Sequence, residues 1–298
     1  MNRPTTNLTL ILNILNINYP IGMNEEQNAM MTPEQRYLFD VTGYLHLKNA
    51  LSDEELKAAQ AAANEYINTP TEELPPGFDS SQKNLPNGFA FAKPLEALTL
   101  HRATWPIIKE LTRDKPQLFR GTMIADRAGV SESAEGLRLH CAREDFGWHC
   151  NRYEVRDGRI FCDDFVVFPY LYDVHPGDGG LLVVPGTHKT FFDRPEHLYN
   201  NGKIEDADDI PPGVVNVTPK AGDFVIISEL LTHGALPWKP QDRYRCVLTL
   251  RYRPQHRGES RVSEEVRGRL SPETLELISR ADHYHTKEIV KKDVVTLT

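Results

Sequence analysis

Cysteine is scarce in this chain. Four occur in 298 residues, Cys141, Cys150, Cys162 and Cys246, and no two form a C-x-x-C pair. That argues against a disulfide scaffold and against a structural zinc site. The thiols read as reduced, which fits an intracellular, cytoplasmic setting. An excess of positive charge is also missing. The formal net charge is -8 and the Lys and Arg residues are scattered, so no nucleic-acid groove is indicated. Long apolar runs are missing too. The most apolar stretch, "LTLILNILNINYPIGM", is short for a membrane span and is broken by three Asn residues. It lacks the basic start and small-residue cleavage site of a signal peptide. Residues 1–31 are therefore expected to be a disordered or loosely packed extension. A targeting role stays open for it, as does the translation start, with Met23, Met30 and Met31 following. No Gly-rich phosphate loop and no internal repeat is present.

What remains is the composition of an ordinary globular protein, 40% hydrophobic and 26% charged. The length suits a single domain over residues 32–298. Thr32-Pro33-Glu34-Gln35 predicts a helix start, with a Thr cap and Pro in the first turn. "GYLHLKNAL" alternates as a strand does. Ser52-Asp53-Glu54-Glu55 is a capping box for a helix through "LKAAQAAANEYI". A loop spans Asn68 to Asn87, and "WPIIKELTRD" is helical. From about Leu118 the pattern changes. "GTMIADRAG", "EGLRLHCA", "DDFVVFPYLYDV", "GGLLVVPGTHK", "VVNVTPKAG", "DFVIISELLTHG" and "RCVLTLRYRP" predict about seven short strands. Such a series makes a sandwich or barrel, not alternating βαβ units. The expected fold is mainly β with flanking helices, a double-stranded β-helix of the jelly-roll, cupin-like type. A charged tail with one helix, "SPETLELISRAD", closes the chain.

Three places in the strand-rich half carry residues suited to chemistry. His233 follows the strand "FVIISELL", and strand ends at a barrel mouth are where ligand groups converge. Arg245, Val247, Thr249 and Arg251 share one face of a strand by the period of two. If Val247 faces inward, so does Arg245, and an inward Arg is costly unless it meets an anion such as a carboxylate. His188, in the turn Pro185-Gly186-Thr187-His188, fits local hydrogen bonding better than a metal role. The third place is "LHCAREDFGWHCNRYE", with His140 and His149, neither followed by x-Asp. Trp148, Tyr153, Phe168, Tyr170 and Trp238 are aromatics that either line a pocket or pack a core.

Taken together, "GYLHLKNALSDEEL", "GDGGLLVVPGTHK" and "AGDFVIISELLTHG" followed by "RYRCVLTLRY" resemble the phytanoyl-CoA dioxygenase (PhyH) family of Fe(II)/2-oxoglutarate-dependent oxygenases. The likeness spans about Pro33 to Pro254. It implies a double-stranded β-helix that binds Fe(II), 2-oxoglutarate and O2 and oxidises a C–H bond of a small molecule, releasing succinate and CO2. It implies iron held by an H-x-D segment and a distal His. The distal His matches His233, and the Arg that grips 2-oxoglutarate matches Arg245, with Arg243 as the alternative. A triad of two His and one carboxylate leaves three positions open on the metal.

The first iron ligand is His140 or His149, and the H-x-D pattern fails at both. Asn151 stands in the Asp place after His149, and Ala142 stands there after His140. One outcome is that Glu144 or Asp145 fills the position and the enzyme hydroxylates, desaturates or cyclises. Another is a vacant position, as in related halogenases, where chloride takes the space. The last is a non-catalytic binding module that has lost iron. Neither the substrate nor the oligomeric state is legible.

Overall fold

The computed structural model describes residues 17–18, 30–126, 139–145, 151–198 and 210–280, with backbone only at 17–18, 144–145 and 197. The strands in chain order are β1 (Ile17–Asn18), β2 (Tyr44–Lys48), β3 (Asn84–Leu85), β4 (Pro116–Asp126), β5 (Tyr153–Arg156), β6 (Arg159–Cys162), β7 (Phe165–Pro169), β8 (Gly180–Val183), β9 (Val215–Asn216), β10 (Phe224–Ser228), β11 (His233–Leu236) and β12 (Arg245–Pro254). The main helices are α1 (Pro33–Thr42), α2 (Asp53–Asn68), α3 (Trp105–Leu111), α4 (Ala142–Asp145) and α5 (Pro272–Ile278). No described helix is long and apolar enough to cross a membrane.

Helix boundaries follow from capping. Thr32 and Gln35 form a reciprocal capping box for α1, with Pro in its first turn. Ser52 and Glu55 do the same for α2. Helix α2 buries Ala59, Ala62, Ala63 and Tyr66, the i, i+3, i+4, i+7 stripe of an amphipathic helix. Ser271 caps α5 by accepting from the Thr274 amide.

The strands form a seven-stranded sheet in the order β1-β2-β10-β7-β12-β4-β3 and a three-stranded sheet β11-β8-β9. Neighbours in each sheet are mostly distant in sequence, which is the double-stranded β-helix arrangement anticipated above. Burial follows the period of two. Leu45, Leu47, Phe165, Val167, Phe224, Ile226, Leu248, Leu250 and Tyr252 pack outward on Phe39, Ala63, Tyr66 and Trp105 of the helices. Tyr44, Val166, Val225, Ile227 and Val247 face inward, toward Leu181 and Val183 of the small sheet.

Three features differ from expectation. Tyr153–Cys162 forms a separate β5–β6 hairpin. Its turn is Asp157-Gly158, both at positive φ, the Asp-Gly signal of a tight hairpin. His233 opens strand β11 instead of sitting in a loop. Strand β4 starts at Pro116, five residues before "GTMIADRAG". Of the N-terminal extension, Ile17–Asn18 pairs in parallel with β2 at Leu47 and Lys48, and Met31 is buried.

Candidate metal and co-substrate site

The turn after β10 brings two imidazoles together. Leu231 N–H donates to the Ser228 carbonyl, which reverses the chain into β11. There His233 lies opposite Val183 of β8. On its other side it pairs with His140, each backbone N–H donating to the other's carbonyl at 2.8 and 2.9 Å. Residue 140 thus extends the small sheet. The two rings stand 4.3 Å apart, centroid to centroid. His233 Nδ1 donates to the Leu231 carbonyl at 2.7 Å, because a carbonyl can only accept. That leaves Nε2 with a free lone pair, the tautomer a metal ligand needs. Burial pushes the His233 pKa down to about 4, so the ring is neutral near pH 7.

Arg245 lies on the inward face of the large sheet. It is buried, and Nη2 donates to Asp126 on the adjacent β4 at 3.1 Å. Its Nε has no partner. Gly180, at φ +88 in the left-handed region that favours glycine, lies beside it: a Cβ there would stand in ordinary contact, 3.5 Å from Arg245 Nη1. Gly179 is required for a different reason: at φ +109 a side chain would run into the Pro237 carbonyl. Gly180 pairs with Leu236, and Val183 pairs with His233. Three residues of β8 therefore separate the Arg245 level from the His233 level, roughly 10 Å at about 3.3 Å per residue. The wall between them carries Thr122, Ile124, Phe168 and Thr249, all half-buried. Thr249 Oγ1 has no partner.

Beyond the histidines, Arg251 on the same face of β12 binds Glu229 at 2.9 Å and Asp164 at 3.2 Å. Glu229 N–H donates to the Asp164 carbonyl, and the Glu229 carbonyl accepts from Ala142 N–H at 2.7 Å. Burial pushes Asp164 up to about 7. For Glu229, burial works in the same direction, but Arg251 and the neighbouring histidines outweigh it and hold the carboxyl below its ordinary range.

The structure thus unites His140, His233 and Arg245. His149, with Trp148, lies outside the described residues, as do the side chains of Glu144 and Asp145. Asn151 is buried and accepts a hydrogen bond from Arg257. Arg243 sits in the turn before β12, bound to Asp178 and stacked on Trp238, not on the inner wall. His188 is fully buried, edge-on to Tyr153, with neither ring nitrogen partnered. Tyr153 is not a pocket residue: the β5–β6 hairpin packs it against Phe39, and its hydroxyl donates to Asp40. Phe168, Tyr170 and Trp238 do belong to the inward cluster. Asp126, Glu229 and Arg251 were missed as site residues. An acid inside the apolar run "FVIISELL" was the available signal for Glu229.

These residues fit Fe(II) and 2-oxoglutarate at two points and leave a third open. Two imidazoles suit Fe(II), and an inward guanidinium suits a carboxylate. Among the described residues, however, no three His, Cys, Asp or Glu side chains converge on one metal position. Ala142, two places after His140, is buried and carries no acid.

A double-stranded β-helix with paired histidines on one sheet and an inward Arg on the other defines the class of Fe(II)/2-oxoglutarate-dependent oxygenases. The family model described as Phytanoyl-CoA dioxygenase (PhyH) matches residues 39–245, and the chain belongs to that family. It is accordingly an Fe(II)/2-oxoglutarate-dependent oxygenase of small molecules. A search of curated proteins finds no significant sequence match. Solved structures share the fold. HygX from Streptomyces hygroscopicus, with nickel and 2-oxoglutarate bound, is 22% identical with a TM-score of 0.59, over 78% of this chain and 89% of that one. The non-heme alpha ketoglutarate dependent carbocyclase SnoK, from nogalamycin biosynthesis, is 19% identical with a TM-score of 0.54, over 85% and 95%. EctD from S. alaskensis, with 2-oxoglutarate and 5-hydroxyectoine, is 18% identical with a TM-score of 0.54, over 75% and 76%.

Proposed function

We propose that His140 and His233 bind Fe(II) through Nε2 and that Arg245 grips the far carboxylate of 2-oxoglutarate. The observation that carries this reading is the side-by-side imidazole pair about 10 Å along β8 from a buried, incompletely partnered guanidinium. Bound Fe(II) supplies the coupling of O2 reduction to decarboxylation of 2-oxoglutarate, yielding succinate and CO2 and oxidising a substrate C–H bond. The chain's own residues do the rest. Leu231 fixes the His233 tautomer. Asp126 orients Arg245. The inward apolar wall of Val166, Val225, Ile227 and Val247 keeps water from the reacting groups. The substrate is a small molecule. Cys141, Cys162 and Cys246 are buried and form no disulfide, which supports a cytoplasmic setting. We also take residues 32–298 as one domain with residues 1–31 as an extension; one hydrophobic cluster running from Leu38 to Ile278 supports the single domain.

Anaerobic titration with Fe(II) and 2-oxoglutarate should produce a weak visible charge-transfer band. His233→Ala and His140→Ala should each abolish it, and His149→Ala should leave it. A band lost in His149→Ala and kept in His140→Ala would move the first ligand to His149. No band at all, with no iron retained, would overturn the oxygenase reading in favour of a binding module.

A second reading rests on Ala142. A buried methyl in the carboxylate place leaves space on the metal for chloride, so the same site would halogenate. It predicts a chlorinated product only when chloride is present. Turnover to hydroxylated product alone, in chloride, excludes it.

A further inference from the structure

We infer that Glu229 supplies the negative charge that the H-x-D place lacks, as a buried counter-charge to a divalent cation held by His140 and His233. The inference rests on the reading of those two histidines as the ligand pair.

The argument begins with the backbone. Residues 140 and 142 hydrogen-bond to residues 233 and 229 in turn. The residue paired with Ala142 therefore carries the acid that Ala142 does not, and it lies four positions before His233. Glu229 is buried, and a buried carboxylate persists only where cations meet it. Arg251 is one such partner, but its guanidinium is divided between Glu229 and Asp164. Two acids thus share the Arg251 charge, and Asp164 also feels Arg253. The charge of Glu229 acts on both His140 and His233, and Arg251 acts on His233 with the opposite sign. Among the described residues Glu229 does not join His140 and His233 in a three-ligand cluster, and its carboxylate is held by Arg251. Glu229 is therefore a positioning residue. It lowers the energy of a cation between the imidazoles without occupying a coordination position, and the position beside Ala142 stays open for an exogenous ligand.

Calorimetric titration of the apo full chain with Ni(II), without 2-oxoglutarate, tests this. Glu229→Gln keeps an oxygen for Arg251 and removes the charge. It should weaken Ni(II) binding about 10- to 100-fold, as loss of groups supporting metal ligands does. Arg251→Gln removes the opposing charge and should tighten Ni(II) binding. A merely structural Glu229–Arg251 pair would instead weaken binding in both variants. Ala142→Asp should raise Ni(II) affinity more in the Glu229→Gln background than in the native chain, since the two acids are then not redundant. If Glu229→Gln binds within twofold of the native chain while His233→Ala does not bind, the inference fails and the ligand pair stands. Ni(II) binding unchanged in both His140→Ala and His233→Ala would bring down the ligand pair itself.

Discussion

The two faces of β12 show how one strand serves structure and chemistry at once. Its outward residues, Cys246, Leu248, Leu250 and Tyr252, are fully buried under the helices, and Tyr252 adds a hydrogen bond from its hydroxyl to the Thr99 carbonyl. Its inward residues, Arg245, Val247, Thr249 and Arg251, are mostly polar or charged, and two of the four are only half-buried. The outward face is what burial alone selects. The inward face is not. Each guanidinium there survives because an acid meets it, Asp126 at one end and Glu229 with Asp164 at the other. Charges that a core would reject are tolerated where opposite charges meet them, so the inward face is the one suited to the proposed site and the outward face marks the fold.

Substitutions on the two faces should separate these roles. The largest expected effect on ligand binding is on the inward side. Arg245→Ala should weaken 2-oxoglutarate binding at least about 30-fold, the equivalent of about 2 kcal/mol for truncating one partner of a buried charge pair. Anaerobic titration of the Fe(II)-loaded protein measures it, and an unchanged affinity would move the co-substrate anchor elsewhere. Next comes the outward side. Leu248→Ala should cost about 3 kcal/mol of stability through the cavity it opens. Urea unfolding should show the loss, while 2-oxoglutarate affinity in the folded protein stays native. If that affinity fell as far as in Arg245→Ala, the separation of faces would be wrong. The smallest effect belongs to Thr249→Val. Its buried hydroxyl has no partner, so removing it should leave stability within about 0.5 kcal/mol. If the hydroxyl faces the co-substrate, 2-oxoglutarate should bind about threefold to tenfold more weakly, the value of one hydrogen bond. A loss of stability without a loss of affinity would assign Thr249 to the core.

Much of this was legible in one dimension. Caps at Thr32 and Ser52 are local hydrogen-bonding devices, so residues three apart announce them. The alternation in "RCVLTLRY" put Arg245 on the same face as Val247 before any fold was known, because successive strand residues point to opposite sides; which face is inner came only with the fold. The β5–β6 hairpin went unread although Asp157-Gly158 signals it, since its strands are short and half-exposed and lack a strong apolar pattern. Strand β11 was hidden for a related reason. "HGAL" is four residues with a glycine, too short and too small to read as a strand without β8 beside it.

The sequence by itself determined the strand-rich half, the capped helices, His233 and Arg245 as candidates, and the absence of an acid two places after either histidine. These are local or periodic properties, carried by residues a few positions apart. Tertiary structure alone decided that His140 is the histidine paired with His233, that Asp126 meets Arg245, and that Glu229 lies against Ala142. Those contacts join segments 93, 119 and 87 residues apart in the chain. No local pattern encodes them, because they exist only once two sheets have closed over a shared interior and the register of β11, β12 and residues 139–142 has been set by burial on both faces.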